Sequence, residues 1–184
     1  VLTPSLGAYR LAISELLNLL SSCVWIGPDT PTKWLICAVD ANTPSNLLIS
    51  DKGIKGLVLS PKKGFKQLQF RNCSVYAESG VMLGRIVRES IKRNLSGLES
   101  LIGVPGTLGG ALVMNAGAFG GEISNYLISV DIMTSKGELK TYDASDIDFS
   151  YRFSSFTTDE FILLAKFELE TEKPEIISEK RKIA

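Results

Sequence analysis

The sequence predicts an α+β protein in two subdomains: a small α/β unit over 1–62, then an α+β region with an antiparallel sheet over 63–172, and a short tail over 173–184. Three observations carry this. A helical pattern precedes short apolar strands; a polar, turn-forming break, Pro61-Lys62-Lys63-Gly64, follows them; beyond it, apolar and polar residues alternate as half-buried antiparallel strands require.

In the first unit, Ala8 to Leu20 sets Leu11, Leu16, Leu17 and Leu20 on or near one helical face, with Arg10, Glu15 and Asn18 outside. Gly27-Pro28-Asp29 and Thr30-Pro31 end it. Trp34 to Val39 is a short apolar run, expected as a buried strand. Asp40 to Asn46 carries cap and turn residues, and Leu47-Leu48-Ile49 and Gly56 to Ser60 are further strands about the turn Asp51-Lys52-Gly53.

In the second region, Cys73, Val75 and Ala77 alternate with Ser74, Tyr76 and Glu78, a strand with one buried face. Val81 to Asn94 is an amphipathic helix with Leu83, Ile86, Val87 and Ile91 inward and Arg85, Arg88, Glu89, Lys92 and Arg93 outward. Thr107 to Met114 forms a short helix with Thr107 as its N-cap. Tyr126 to Thr134 is a strand with Ile128, Val130 and Ile132 on its apolar face, and Lys136-Gly137 turns it back into Glu138 to Tyr142. Ser145-Asp146-Ile147 opens a turn, Phe149-Ser150-Tyr151-Arg152 leads into a loop, and Phe161 to Leu169 is the last strand.

With 184 residues, 45% of them hydrophobic, the chain can bury a sizeable core. Its 20 basic and 20 acidic residues cancel, so no nucleic-acid partner is expected. No apolar run approaches the roughly 20 residues of a membrane span, and no membrane partner is expected. Cys23, Cys37 and Cys73 lack metal-ligand spacing and are expected as reduced, buried thiols of a cytoplasmic protein. There is no histidine, which removes the commonest general base and the His-dependent nucleophile systems. Chemistry here calls for a cofactor rather than a metal. The chain opens without Met and stops within the charged run Glu179-Lys180-Arg181-Lys182, as a fragment would.

Leu101 to Ile123 organises the rest. Its glycines, at 103, 106, 109, 110, 117, 120 and 121, are interleaved with Ala, Leu, Val and Met, so this is buried or closely approached backbone and not a polar linker. A dinucleotide needs backbone N–H groups and a helix N-terminus for its pyrophosphate, and a flavin adds a ring that wants a wall free of side chains. Gly103-Val104-Pro105-Gly106-Thr107-Leu108-Gly109-Gly110 offers both, although it is not the G-x-G-x-x-G fingerprint of a Rossmann site. The same spacing also suits close helix-on-sheet packing.

The string Gly97-Leu98-Glu99-Ser100 through Gly120-Gly121-Glu122-Ile123 closely resembles the flavin segment of the UDP-N-acetylenolpyruvoylglucosamine reductases, the MurB family. The resemblance extends to Ala77-Glu78-Ser79-Gly80, Val87-Arg88-Glu89-Ser90 and Phe149 to Ser154, and covers roughly Asn46 to Leu169. It implies a vanillyl-alcohol-oxidase, or PCMH-type, fold with FAD clasped between two subdomains. It further implies that NADPH reduces the FAD, and that hydride then reaches UDP-N-acetylglucosamine enolpyruvate to give UDP-N-acetylmuramate. That is a step of peptidoglycan precursor synthesis, hence of cell-wall biogenesis, cell shape and division, in a monomeric cytoplasmic enzyme.

By the same resemblance, Arg152 maps onto the catalytic arginine and Tyr151 onto a residue lining the active site. Flavin contacts map onto Gly103, Val104, Pro105, Gly106, Thr107, Gly109, Gly110, Asn115, Ala116 and Gly117, and pyrophosphate contacts onto Ser45, Asn46 and Leu47. Two departures stand against a complete match. Where the family has a glycine cluster before Ser-Asn, this chain has Asp40-Ala41-Asn42-Thr43-Pro44, which adds a negative charge and removes an N–H donor. The family's proton-donating serine and assisting glutamate lie in a third domain, of which 173–184 is expected to be only the start. Two other functions stay open: a non-catalytic or flavin-free binding module, and an oxidase on the same fold.

Overall fold

In the computed structural model, residues 64–157 and 159–183 are described, together with two short strands earlier in the chain. Those strands, β1 (Trp34–Leu35) and β2 (Leu57–Val58), pair in parallel, Trp34 opposite Leu57. The expected helix at 8–20, the strand at 47–49, the loop at 40–46, Cys23 and Cys37 lie outside the described residues.

β3 (Leu68–Arg71) and β4 (Ser74–Glu78) form a hairpin turned by Asn72 at φ 53°. Val75 and Ala77 are buried, as the alternation requires, whereas Cys73 sits in the turn, half-buried, its Sγ 3.4 Å from Thr171 Oγ1. Next comes α1 (Leu83–Ile91), which buries Leu83, Ile86 and Val87. It starts two residues later than the periodicity suggests, because Val81 and Met82 are drawn into backbone pairing with the glycine-rich segment.

After β5 (Leu95–Ser96) and a 3₁₀ turn at Glu99–Leu101, the chain forms α2 (Leu108–Val113), β6 (Gly117–Ala118) and β7 (Gly121–Glu122). β8 (Leu127–Thr134), β9 (Leu139–Asp143), the hairpin of β10 (Phe149–Ser150) and β11 (Phe153–Ser154), β12 (Glu160–Glu168) and β13 (Glu170–Thr171) follow. Helix α3 (Pro174–Ile183) closes the described chain.

The main sheet has the order β3-β4-β12-β8-β9, antiparallel throughout. Gly137, at φ 80°, makes the expected turn between β8 and β9. One expectation fails within β8. Ile128 is exposed, while Leu127, Val130 and Ile132 are buried. Lys166 pairs with Ser129 and Phe167 with Leu127, so Ile128 is the extra residue of a bulge and the alternation flips there. Leu163 is the matching extra residue of β12 farther along the same pair.

The core lies between this sheet and the helices. Phe167, Leu83, Ile86, Leu108, Leu112, Ile123 and Ile132 are all essentially inaccessible. Helix α3 packs on the 3₁₀ turn, with Ile177 buried and Lys180 Nζ donating to Ser96 Oγ at 2.8 Å. Among the described residues no helix is long and apolar enough to cross a membrane.

Candidate functional site

The glycine-rich segment runs antiparallel beside the chain that links β4 to α1. Leu83 N–H donates to Gly106 O (3.0 Å), Leu108 N–H to Val81 O (2.8 Å) and Gly109 N–H to Ser79 O (2.9 Å), and Met82 and Thr107 form a bridge. The first two amides of α2 are therefore engaged within the protein. The expected helix N-terminus does not offer them to a phosphate, and α2 has only six residues. Thr107 does occupy the N-cap position, but its side chain makes no capping bond.

The glycines divide into two kinds. A Cβ built on Gly103 or Gly106 meets nothing within 4 Å, and Gly106 has φ +120°. At these two positions the backbone presents an open face free of side chains, as it also does at Gly120. By contrast, a Cβ on Gly97 would lie 2.8 Å from the Tyr126 ring, and one on Gly121 would collide with Ser100. On Gly117 it would lie 3.0 Å from Glu122 Cγ and 3.1 Å from Gly121 O. That second set serves close packing inside the protein, the alternative the spacing had left open.

The glycine-rich segment and the stretch paired with it also hold buried polar atoms with no hydrogen-bond partner among the described residues. Ser79 Oγ, Thr107 Oγ1 and Asn115 Oδ1 have none, and each parent residue is 1% exposed. Leaving such a group unpaired costs on the order of 1–3 kcal/mol, so these atoms are suited to a polar ligand brought in from outside. Glu99 Oε1 is also unpaired, although its Oε2 accepts Gly97 N–H at 2.7 Å. Ser79 was not singled out by sequence reasoning; the signal was its place in Ala77-Glu78-Ser79-Gly80, beside the main string.

Asn115 joins the glycine segment to the tip that carries Tyr151 and Arg152. At φ 39°, its Nδ2 donates to Glu122 Oε2 (2.8 Å) and to Ser150 O (3.1 Å). Ser154 Oγ donates to Val113 O (2.7 Å), a second tether between the same two parts. Tyr151 and Arg152 are not a loose loop but the two-residue tip of the β10–β11 hairpin, where Ser150 pairs with Phe153. Tyr151 is 84% exposed, and the Arg152 guanidinium carbon lies 5.7 Å from its ring centre. Arg152 holds φ +57°, a region few non-glycine residues adopt.

Thus the structure gathers Gly103 to Gly110, Asn115 to Gly117 and the Tyr151-Arg152 tip through named bonds. Thr107, Gly109, Asn115 and Ala116 are buried, and Gly103, Pro105, Tyr151 and Arg152 are exposed. Ser45, Asn46 and Leu47 lie outside the described residues. Open glycine positions, with buried, unpaired hydroxyl and amide oxygens in the same segment and in the stretch paired with it, fit a planar, polar-edged group such as a flavin.

Comparison with known proteins agrees with this geometry. Residues 41–143 match the family described as FAD binding domain. The UDP-N-acetylenolpyruvoylglucosamine reductase of Agathobacter rectalis is 38% identical over 175 residues, covering 88% of this chain and 52% of that protein. The enzyme of the same name from Listeria innocua is 41% identical over 137 residues, 74% of this chain and 46% of that one. The crystal structure of UDP-N-acetylenolpyruvylglucosamine reductase (MurB) from Thermus caldophilus is similar with a TM-score of 0.63 and 27% identity, over 76% of this chain and 51% of that one. The chain spans about half the length of the curated relatives it matches.

Proposed function

This chain belongs to the FAD binding domain family and has the PCMH-type α+β fold, and on that premise we propose that it is the FAD-binding part of an NADPH-dependent reductase. The reaction is conversion of UDP-N-acetylglucosamine enolpyruvate to UDP-N-acetylmuramate, in peptidoglycan precursor synthesis. The single observation that carries the proposal is the open backbone at Gly103 and Gly106, in a segment that with the stretch paired to it holds the unpaired Ser79, Thr107 and Asn115 oxygens and that Asn115 ties to the Arg152 tip.

FAD, when bound, supplies hydride transfer. The residues that would hold it are Gly103, Val104, Pro105, Gly106, Thr107, Gly109, Gly110, Asn115, Ala116 and Gly117, with Ser45, Asn46 and Leu47 from the first unit. Arg152 presents a planar guanidinium cation with several N–H donors. Set against the substrate's carboxylate, it stabilises the enolate charge that builds up when hydride adds to the adjacent double bond. The Tyr151 ring lies within cation–π reach of that guanidinium, its centre 5.7 Å from the guanidinium carbon.

The test is turnover by the complete natural gene product, followed as NADPH oxidation. Oxidation that depends on the enolpyruvyl sugar nucleotide, and that falls by roughly 10²–10³ in kcat for Arg152→Ala, supports the reading. Oxidation that ignores the sugar nucleotide and consumes oxygen instead overturns it.

A further inference from the structure

We propose that Glu122 is a positioning residue for the Tyr151-Arg152 tip, acting through the amide of Asn115; the value of that tip to catalysis rests on the function proposed above. The chemistry of the amide comes first. A primary amide has two N–H donors on one atom and an acceptor on the other. In this protein both contacts of Nδ2 are to acceptors, the Glu122 carboxylate at 2.8 Å and the Ser150 carbonyl at 3.1 Å. Rotating the amide by half a turn would set Oδ1 against those two oxygens, acceptor facing acceptor. Glu122, with the shorter of the two bonds, and the Ser150 carbonyl together fix which way Asn115 points. One consequence is that Nδ2 clamps the residue just before Tyr151. The other is that Oδ1 remains the buried, unpaired acceptor of the site.

A second observation concerns the path of the Glu122 side chain. Gly117 and Glu122 are cross-strand partners in β6 and β7. A Cβ at 117 would sit 3.0 Å from Glu122 Cγ and 3.1 Å from the Gly121 carbonyl, so the absence of a side chain at 117 lets Glu122 cross toward Asn115. Nor does the tip hold its shape unaided. Arg152 sits at φ +57°, which persists only where neighbouring bonds hold it. Besides the β10–β11 pairing itself, those bonds are Asn115 to Ser150 on one side of the tip and Ser154 to Val113 on the other.

The experiment uses the full-length protein and three variants, Glu122→Ala, Glu122→Gln and Gly117→Ala. The readout is the rate of tryptic cleavage after Arg152, located by mass spectrometry, beside kcat and the KM for NADPH. Glu122→Ala and Gly117→Ala are expected to raise that cleavage rate roughly tenfold, the effect of one lost hydrogen bond on local opening. In Glu122→Ala kcat falls while the KM for NADPH holds. Glu122→Gln keeps an acceptor for Asn115 Nδ2 and is expected to behave like the unmodified protein. Unchanged cleavage in Glu122→Ala overturns the proposal, and so does a Glu122→Gln variant as impaired as Glu122→Ala. Cleavage needs neither cofactor nor substrate. If it responds as expected while no variant and no parent protein turns over, the positioning role stands and the proposed reaction fails.

Discussion

The backbone N–H of Leu83 donates to the carbonyl of Gly106 at 3.0 Å, so the first turn of the amphipathic helix is anchored on the segment with the open face. Gly106 makes this possible by holding φ +120°, where an L side chain is strained whatever space surrounds it. Gly106→Ala is thus expected to lower stability by about 1–2 kcal/mol even though its Cβ would meet no neighbour. Urea unfolding of the variant without cofactor measures it.

Gly97 differs in kind. It combines φ +140° with the Tyr126 ring 2.8 Å from where a Cβ would be, and an aromatic ring cannot yield as a flexible chain end does. Gly97→Ala should cost roughly 2–5 kcal/mol, and FAD in excess should recover only the part set by its own binding. Thermal melts with and without FAD separate the two contributions.

Arg152 inverts the usual relation between strain and substitution. Glycine adopts φ +57° freely, so Arg152→Gly should leave stability unchanged or raise it by up to about 1 kcal/mol, while turnover of the full-length protein is lost. A melting curve and a kcat on the same preparation check both halves. A variant that keeps its activity would remove Arg152 from the proposed chemistry.

Glu89 gives the expected pH dependence. Hydrogen bonds from Lys92 first and Arg93 second hold its carboxyl well below the ordinary 4.5, at about 2. A depressed carboxylate contributes stability that is present above pH 4.5 and lost as pH falls through about 2. The stability difference between the parent and Glu89→Gln should therefore be constant near neutrality and vanish across that window. It should also shrink in high salt, because the group is accessible to solvent. Arg93 additionally lies over the Phe70 ring at 4.2 Å, so Arg93→Ala should have a larger effect than Lys92→Ala.

Much of this was legible from local chemistry. The helix bearing Leu83, Ile86 and Val87 inward follows from its period, and the Gly137 turn from its residue type. The apolar setting of the glycines marked a closely approached surface. What the pattern could not contain were facts about partners distant in the chain. Ile128 is turned outward by a bulge whose cause is the pairing of β8 with β12. Glycine is required at 97 by Tyr126 and favoured at 121 by Ser100, whereas at 103 it leaves space, and identical letters cannot show that difference. The amides of Leu108 and Gly109 are engaged by Ser79 and Val81, residues far back in sequence. Glu122 looks like a surface acid until the fold brings Asn115 and Ser150 to it.

The most direct measurement is a titration of the protein with FAD, followed by flavin fluorescence, on the parent and on Gly103→Leu. Among the described residues nothing lies within 4 Å of a Cβ at 103, so the first carbon of the new side chain meets no neighbour, and the melting temperature of the variant checks that the fold is kept. The parent should bind FAD saturably and stoichiometrically, and Gly103→Leu should lose binding at an unchanged melting temperature. Binding of equal strength in the two proteins would contradict the assignment of the open glycine face to the cofactor.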